Sequence, residues 1–260
     1  MIWPFKNRQK IETAVTPDVP KYDLHNHIIF DVDDGADDIE ESILMIEGFI
    51  KLGYKGLYST SHHNHYAFDT PSVELINSRQ RIINEILLQK GLEIEIKNGA
   101  EIMLREDYST FFKNDTFPQT GAAYLVEFPH QQSMVTELFK NFIFDCAKKG
   151  KVLLIAHPER NPDFQRKMDL LYEFKELGVL LQIDIMSLIG RYGALAKKTG
   201  WTLIENNFAD IVSSDLHKGD QIQYLNEALN ELAAYDEETF IKLTSTNPGY
   251  IFRDEIDRLV

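Results

Sequence analysis

From about residue 22 onward, short apolar runs alternate with longer amphipathic stretches. Seven runs read as strands: Tyr22–Leu24, Gly56–Thr60, Glu93–Lys97, Ala122–Phe128, Lys151–Ala156, Val179–Ile185 and Ala209–Ser213. Several are apolar at consecutive positions, as in "YLVEF", "KVLLIAH" and "VLLQIDI". Strands buried on both faces look like this, as in parallel sheets covered by helices.

The stretches between these runs carry helix signals. Asp37 and Asp38 precede Ile39, Ile43, Ile46, Phe49 and Ile50 at helical spacing, and Gly53 follows the last turn. Thr70-Pro71 opens a second helix, with proline in its first turn, and Gly91 closes it. "FKNFIFDCAKKG" is expected to end at Gly150, "MDLLYEFKELG" at Gly178 and "GALAKKTG" at Gly200. The C-terminal "STNPGYIFRDEIDRLV" reads as a closing turn and short helix. Alternation of this kind, with no Pro/Ser-rich linker, predicts one α/β domain. A doubly wound sheet and a (β/α) barrel both satisfy it. Polar chemistry after almost every strand favours the barrel, whose strand ends converge on one site. The predicted division is an N-terminal tail, residues 1–21, and a single domain, residues 22–260.

Composition narrows the partners. The chain has 260 residues, with 27 Lys+Arg against 41 Asp+Glu, a formal charge of -14. That surface repels nucleic acid and anionic membrane, and only Lys6, Arg8 and Lys10 form a basic group. A site for an anion must therefore bring its own positive charge. Cys146 is the single cysteine, so no disulfide framework forms, which suits a reducing cytosol and predicts a cytoplasmic protein. The start lacks the roughly 7–15-residue apolar run of a secretory signal. No stretch approaches the ~20 apolar residues of a membrane span. Trp3 and Phe5, beside Lys6 and Arg8, read as a loose tail or packing arm.

The chemistry sits at strand ends. His25, His27 and Asp34 follow the first strand, and His62, His63 and His65 the second. Glu101 follows the third, Glu127 lies late in the fourth, and His157 follows the fifth. Asp184 lies in the sixth, and Asp215 and His217 follow the seventh. Of eight histidines only His130, in the loop past Pro129, stands apart from this pattern. One histidine at a strand end is ordinarily a packed or surface residue; imidazoles and carboxylates on every unit are not. This donor mixture suits borderline divalent metals such as Zn, Mn or Fe. Nine ligands drawn from these positions would exceed one ion's needs, which implies two or three ions able to stabilise both ends of a hydrolytic displacement. Other chemistries find no support. Cys146 has Val152 rather than arginine six positions on, and no G-x-S-x-G, Walker loop or G-x-G-x-x-G is present.

The ordered motifs "DLHNH…DDG", "TSHH", "GAEI", "LVEF", "AHPER" and "SSDLH" resemble those of the PHP (polymerase and histidinol phosphatase) superfamily. The resemblance runs from about Asp23 to His217. With "ESILMI" and "HPER" it is most similar to the PHP-type bacterial protein-tyrosine phosphatases of capsule and exopolysaccharide loci. It implies a distorted (β/α)7 TIM-like barrel holding two or three divalent ions, manganese first, with iron, zinc, cobalt or magnesium as alternatives. One ion would take His25, His27, Glu101 and Asp215. Glu101 would bridge to a second, held also by Glu127 and His157. A third would take Asp34, His62 and His217. The spacing of His25 and His27 puts both rings on one side of an extended backbone. Asp31 and Asp33 would be supporting or turn residues, and His63 and His65 rim residues.

Arg160, in "HPER", matches the superfamily's phosphate-contacting arginine, with a planar fork suited to two oxygens. Relatives often carry another arginine after the D-x-H motif; here "DLHKGDQIQ" offers only Lys218 as a point charge. Asp184 stands where relatives often have asparagine. The implied catalytic set is Arg160, Asp215 and His217, with Arg160 and Lys218 binding substrate. The implied reaction is hydrolysis of phosphotyrosine on the tail of a bacterial tyrosine kinase that controls polysaccharide synthesis or export. No dedicated general acid is evident. The alternatives are a histidinol-phosphate or other small phosphoester phosphatase, a PHP nuclease, which the net charge disfavours, and a binding-only scaffold, which the filled ligand positions disfavour.

Overall fold

The computed structural model describes residues 16–105, 119–129 and 136–259. The predicted N-terminal tail falls mainly on residues 1–15, outside the described residues, as does His130. Among the described residues the strands are β1 (Lys21–Asn26), β2 (Tyr54–Ser59), β3 (His62–His63), β4 (Glu95–Asn98), β5 (Glu101–Met103), β6 (Ala123–Glu127), β7 (Val152–Ala156), β8 (Leu180–Asp184) and β9 (Ile211–Ser213). All seven predicted strands are present. Two of them are continued after a two-residue break by a further short strand, β3 after β2 and β5 after β4.

The α-helices are α1 (Ile39–Lys51), α2 (Val73–Lys90), α3 (Thr136–Lys148), α4 (Pro162–Arg166), α5 (Asp169–Glu176), α6 (Gly193–Glu205), α7 (Ile222–Tyr235), α8 (Glu237–Ile241) and α9 (Asn247–Phe252). Asp38 caps α1 as expected, accepting the Glu41 N–H. In α2 the cap is Ser72, whose hydroxyl accepts the Leu75 N–H, so Pro71 precedes the helix rather than opening it. The helix expected to stop at Gly200 runs on to Glu205. Gly200 lies inside it, and a Cβ there would stand 3.3 Å from Leu188, 3.5 Å from Glu159 and 3.5 Å from Ile183. The glycine serves close packing over β8, not termination.

Pairing is parallel throughout two sheets, β1-β2-β4 and β3-β5-β6-β7-β8-β9. Backbone bonds cross the breaks: the Gly99 N–H donates to Ser59 O and the Glu101 N–H to Thr60 O. At the other end, Asn26 bridges Leu216 in parallel, with the His27 N–H donating to Leu216 O and the Asp215 N–H to His25 O.

Alternation along the strands sorts their side chains into two cores. Tyr124, Val126, Leu153, Ile155, Leu181, Ile183 and Val212 pack with the helices. Leu24, Tyr58, Leu125, Leu154, Ala156, Leu180 and Ile211 form a second cluster that Ile251 and Phe252 of α9 complete. Both faces of the central strands are therefore dry, which is why their sequences are continuously apolar. No helix among the described residues is long and apolar enough to cross a membrane.

Candidate metal centre

The C-terminal ends of the strands converge. His25 lies in β1 and His27 just beyond it, and both are fully buried. Each ring is anchored through Nδ1. His25 Nδ1 is 3.0 Å from Gln182 Oε1 on β8. An amide oxygen only accepts, so Nδ1 is the donor here and Nε2 is the nitrogen left to face the centre. His27 Nδ1 is 3.0 Å from Asp33 Oδ2, and Asp33 also accepts the N–H groups of Gly35 and His62. His217 Nδ1 donates to the Asp215 carbonyl at 2.8 Å. Imidazoles that hold a metal are oriented in this way, through the other ring nitrogen.

The freed nitrogens face carboxylates. His25 Nε2 is 3.2 Å from Glu101 Oε2 and 3.1 Å from Asp215 Oδ1; His27 Nε2 is 3.4 and 3.3 Å from the same two atoms. His62, paired in register with Glu101 across β3 and β5, has Nδ1 3.2 Å from Glu101 and 3.4 Å from Glu127. Its Nε2 is 3.3 Å from Asp34 Oδ1, which His217 Nε2 approaches to 3.4 Å. His157 Nε2 is 2.7 Å from Glu101 Oε1. Donor atoms of His25, His27, Glu101 and Asp215 lie within 4.8 Å of one another. So do those of Glu101, Glu127 and His157, and those of His27, Asp34, His62 and His217. All nine sequence candidates fall in these groups. His65, expected at the rim, joins His62 and Glu127 in a further group.

Whether a cation belongs here is tested by hydrogen bonding and charge. His25 Nε2, His27 Nε2, His62 Nδ1, Glu127 Oε1 and Asp215 Oδ1 are buried and make no hydrogen bond despite these short approaches. An unsatisfied buried polar atom costs about 1–3 kcal/mol, and several converging on one place call for a shared partner. The ionisation pattern calls for positive charge. Burial lowers the pKa of His25, but Glu101 and Asp215 outweigh it and raise it well above the usual value. Burial likewise opposes, and Glu101 and Asp34 overcome, a rise at His62 to about 10. Glu127 is pushed up to about 7 by burial and by Glu101. Imidazole and carboxylate donors fit a borderline divalent ion, which would satisfy both the orphaned lone pairs and the carboxylates.

Arg160 borders the cluster. Its Nη1 donates to Asp215 Oδ2 at 2.5 Å and to Asp184 Oδ2 at 3.2 Å. Asp215 thus gives one oxygen to the imidazoles and the other to the guanidinium. His157 and Asp215 both adopt left-handed backbone angles, φ 33° and 48°, conformations that β-carbon-bearing residues hold only when the surroundings impose them. Lys218 turns its ammonium to Asp37 at 2.7 Å and the Gly35 carbonyl at 2.6 Å. Asp31 faces outward to Arg79, whereas Asp33 supports His27.

Four contributors escaped the sequence analysis. Gln182 fixes the His25 tautomer. Asp23, buried and pushed up to about 6 chiefly by burial, accepts the His25 and Ser214 N–H groups and ties β1 to the turn after β9. Glu159 accepts from Ser187 and the Asp184 N–H. Tyr192 lies under Arg160. Period-two alternation offered a signal for Gln182 and Asp23, which share a strand face with Asp184 and His25. Tyr192, in a turn, offered none.

The model of one family, described as "Capsular polysaccharide synthesis, CpsB/CapC", matches residues 21–253. CapC of Staphylococcus aureus is 30% identical over 223 residues, 83% of this chain and 86% of its own length. Tyrosine-protein phosphatase YwqE of Bacillus subtilis is 30% identical over 197 residues, 75% of this chain and 76% of its own length. In three dimensions the chain is similar to a structure from work on YwqE from Bacillus subtilis and CpsB from Streptococcus pneumoniae, which are metal-dependent tyrosine phosphatases. The TM-score is 0.80 at 26% identity, over 90% of this chain and 95% of that one.

Proposed function

This chain belongs to the CpsB/CapC family, and from that premise we propose that it is a metal-dependent phosphatase that hydrolyses phosphotyrosine. The observation that carries the reading is the convergence of five buried, unbonded donor atoms beside an arginine. The proposed ligands are His25, His27, Glu101 and Asp215 for one ion, Glu101, Glu127 and His157 for a second, and Asp34, His62 and His217 for a third, with manganese the first choice. Divalent ions held there would supply an activated water and neutralise charge on phosphoryl oxygens.

The chain's own residues do the rest. Gln182, Asp33 and the Asp215 carbonyl each hold a ring proton on Nδ1, so that His25, His27 and His217 keep lone pairs toward the centre. Arg160 presents its guanidinium to the phosphoryl group, where a planar fork pairs with two oxygens as charge spreads in the transition state. Asp215 links that arginine to the ion cluster. Lys218 would supply a second cation to the phosphoprotein by leaving Asp37. A tyrosyl oxygen, with a pKa of about 10, is a competent leaving group next to such charge.

The proposed substrate is the phosphotyrosine-bearing tail of a bacterial tyrosine kinase, met in the cytoplasm, which agrees with the family's description in capsule synthesis. The two sheets are best read as one distorted (β/α)7 barrel spanning a single domain from residue 22 to 260. Bonds across the β2–β3 and β4–β5 breaks and the Asn26–Leu216 bridge support it. Side-by-side turnover of a phosphotyrosyl peptide and histidinol phosphate with Mn²⁺ tests the assignment. Preference for the peptide is expected, and preference for histidinol phosphate would overturn it.

A further inference from the structure

Arg160 is held by more than its two carboxylates. Its guanidinium carbon lies 4.2 Å from the centroid of the Tyr192 ring. Tyr192 sits at the start of α6, just past the turn that follows β8, and is 36% exposed. Its hydroxyl interacts with the carboxylate of Asp184, the residue that accepts from Arg160 Nη1. Asp184 is itself fixed, accepting the Met186 N–H at 2.8 Å and donating its own N–H to buried Glu159 at 3.2 Å. The guanidinium is therefore clamped at one nitrogen, Nη1, by Asp215 and Asp184, and across one face by an aromatic ring. Nε and Nη2 make no bond among the described residues and remain for a ligand.

A fork held at one nitrogen alone can still swing about that point. Its plane, and so the direction of the remaining N–H groups, is set by whatever covers its face. We propose that Tyr192 is a positioning residue for phosphate recognition: by stacking on Arg160 it fixes the plane in which Nε and Nη2 meet two phosphoryl oxygens. The inference rests on the phosphatase reading, in which Arg160 contacts the phosphoryl group, and it adds a residue that touches neither substrate nor metal-ligand candidates. Glu159, Ser187 and Asp184 form the frame that holds the clamp to β8. Arg–aromatic stacking is favourable at half-exposed sites, and its loss here should weaken phosphate binding about tenfold.

The test uses the full chain loaded with Mn²⁺, in wild-type, Tyr192→Ala and Tyr192→Phe forms. Two quantities are measured: the Kd of inorganic phosphate by calorimetry, and KM and kcat for a phosphotyrosyl peptide. Tyr192→Ala should raise the phosphate Kd and the peptide KM by about tenfold while kcat and bound manganese stay near wild type. Tyr192→Phe, which keeps the ring, should recover most of that loss. Unchanged phosphate Kd and KM in Tyr192→Ala would overturn the inference. So would a Phe variant as impaired as the Ala variant, or a loss confined to kcat and metal content, which marks a merely structural role. A wild-type protein that binds phosphate but does not turn over phosphotyrosine would sink the phosphatase reading, and the phosphate Kd series would still decide the role of Tyr192.

Discussion

Arg160 donates to Asp215 Oδ2 at 2.5 Å while the other oxygen of that carboxylate stands 3.1 Å from His25 Nε2. One buried side chain thus joins Arg160 to the imidazole pair. Asp215 is held well below the usual carboxylate range, where burial would raise it, by His25 and His217. It is an anion shared between a guanidinium and the place where a cation is needed.

Replacing Arg160 should separate these two roles. Lysine retains the charge but not the fork. Arg160→Lys is expected to lower kcat/KM for a phosphotyrosyl peptide roughly 10- to 100-fold, the value of about 1.5–3 kcal/mol of charge-assisted hydrogen bonding. Metal content should remain near wild type, because the nine donor atoms are untouched. Steady-state kinetics with parallel metal analysis checks both halves.

Gln182 lies outside the cluster yet sets the proton on His25. Gln182→Leu removes the acceptor, frees the ring to adopt the other tautomer, and should weaken manganese binding about 10- to 100-fold. Titration of the metal-stripped protein with Mn²⁺ measures this directly. An unchanged affinity would show that the tautomer is fixed by other contacts.

Gly35 packs against the turn that carries His27. A Cβ there would stand 2.2 Å from the His27 carbonyl oxygen and 2.5 Å from its Cβ, neither of which can swing aside. Gly35→Ala should therefore displace His27 and Asp33 together. Overpacking of this kind costs about 1–3 kcal/mol. Thermal unfolding should show a lowered Tm, and the purified variant should carry less metal.

Cys146 is 1% exposed, and burial pushes its thiol up to about 12. The folded state holds this proton more tightly than the unfolded chain, whose thiol has a pKa near 9. The associated stability is full below that lower value and is lost as the pH rises toward 12. Near pH 8 the native protein should resist alkylation by iodoacetamide, while the denatured chain reacts readily. Mass spectrometry of the two samples reads the difference.

Much of this architecture was legible beforehand for identifiable physical reasons. Strands dry on both faces advertise themselves as unbroken apolar runs, and Asp38 and Gly91 mark helix ends by their local chemistry. The ligand candidates were legible because imidazoles and carboxylates recur at strand ends. Other features depend on tertiary contact and left no local trace. His62–His63 and Glu101–Met103 are too short to show a period, and become strands only by pairing, with each other and, for Glu101–Met103, with β6 as well. Gly200 looked like a helix stop, but its place is set by Leu188 and Glu159 across the packing layer. Gln182 and Tyr192 are ordinary residues whose roles exist only once His25 and Arg160 have been brought beside them.

The central claim is that bound divalent ions complete the cluster and are required for phosphotyrosine hydrolysis. The most direct measurement follows metal content and phosphotyrosyl-peptide turnover in one preparation, before chelation, after it, and after Mn²⁺ is restored. Turnover should fall with the metal and return with it, at two or three ions per chain. Full turnover in protein shown to be metal-free would contradict the account.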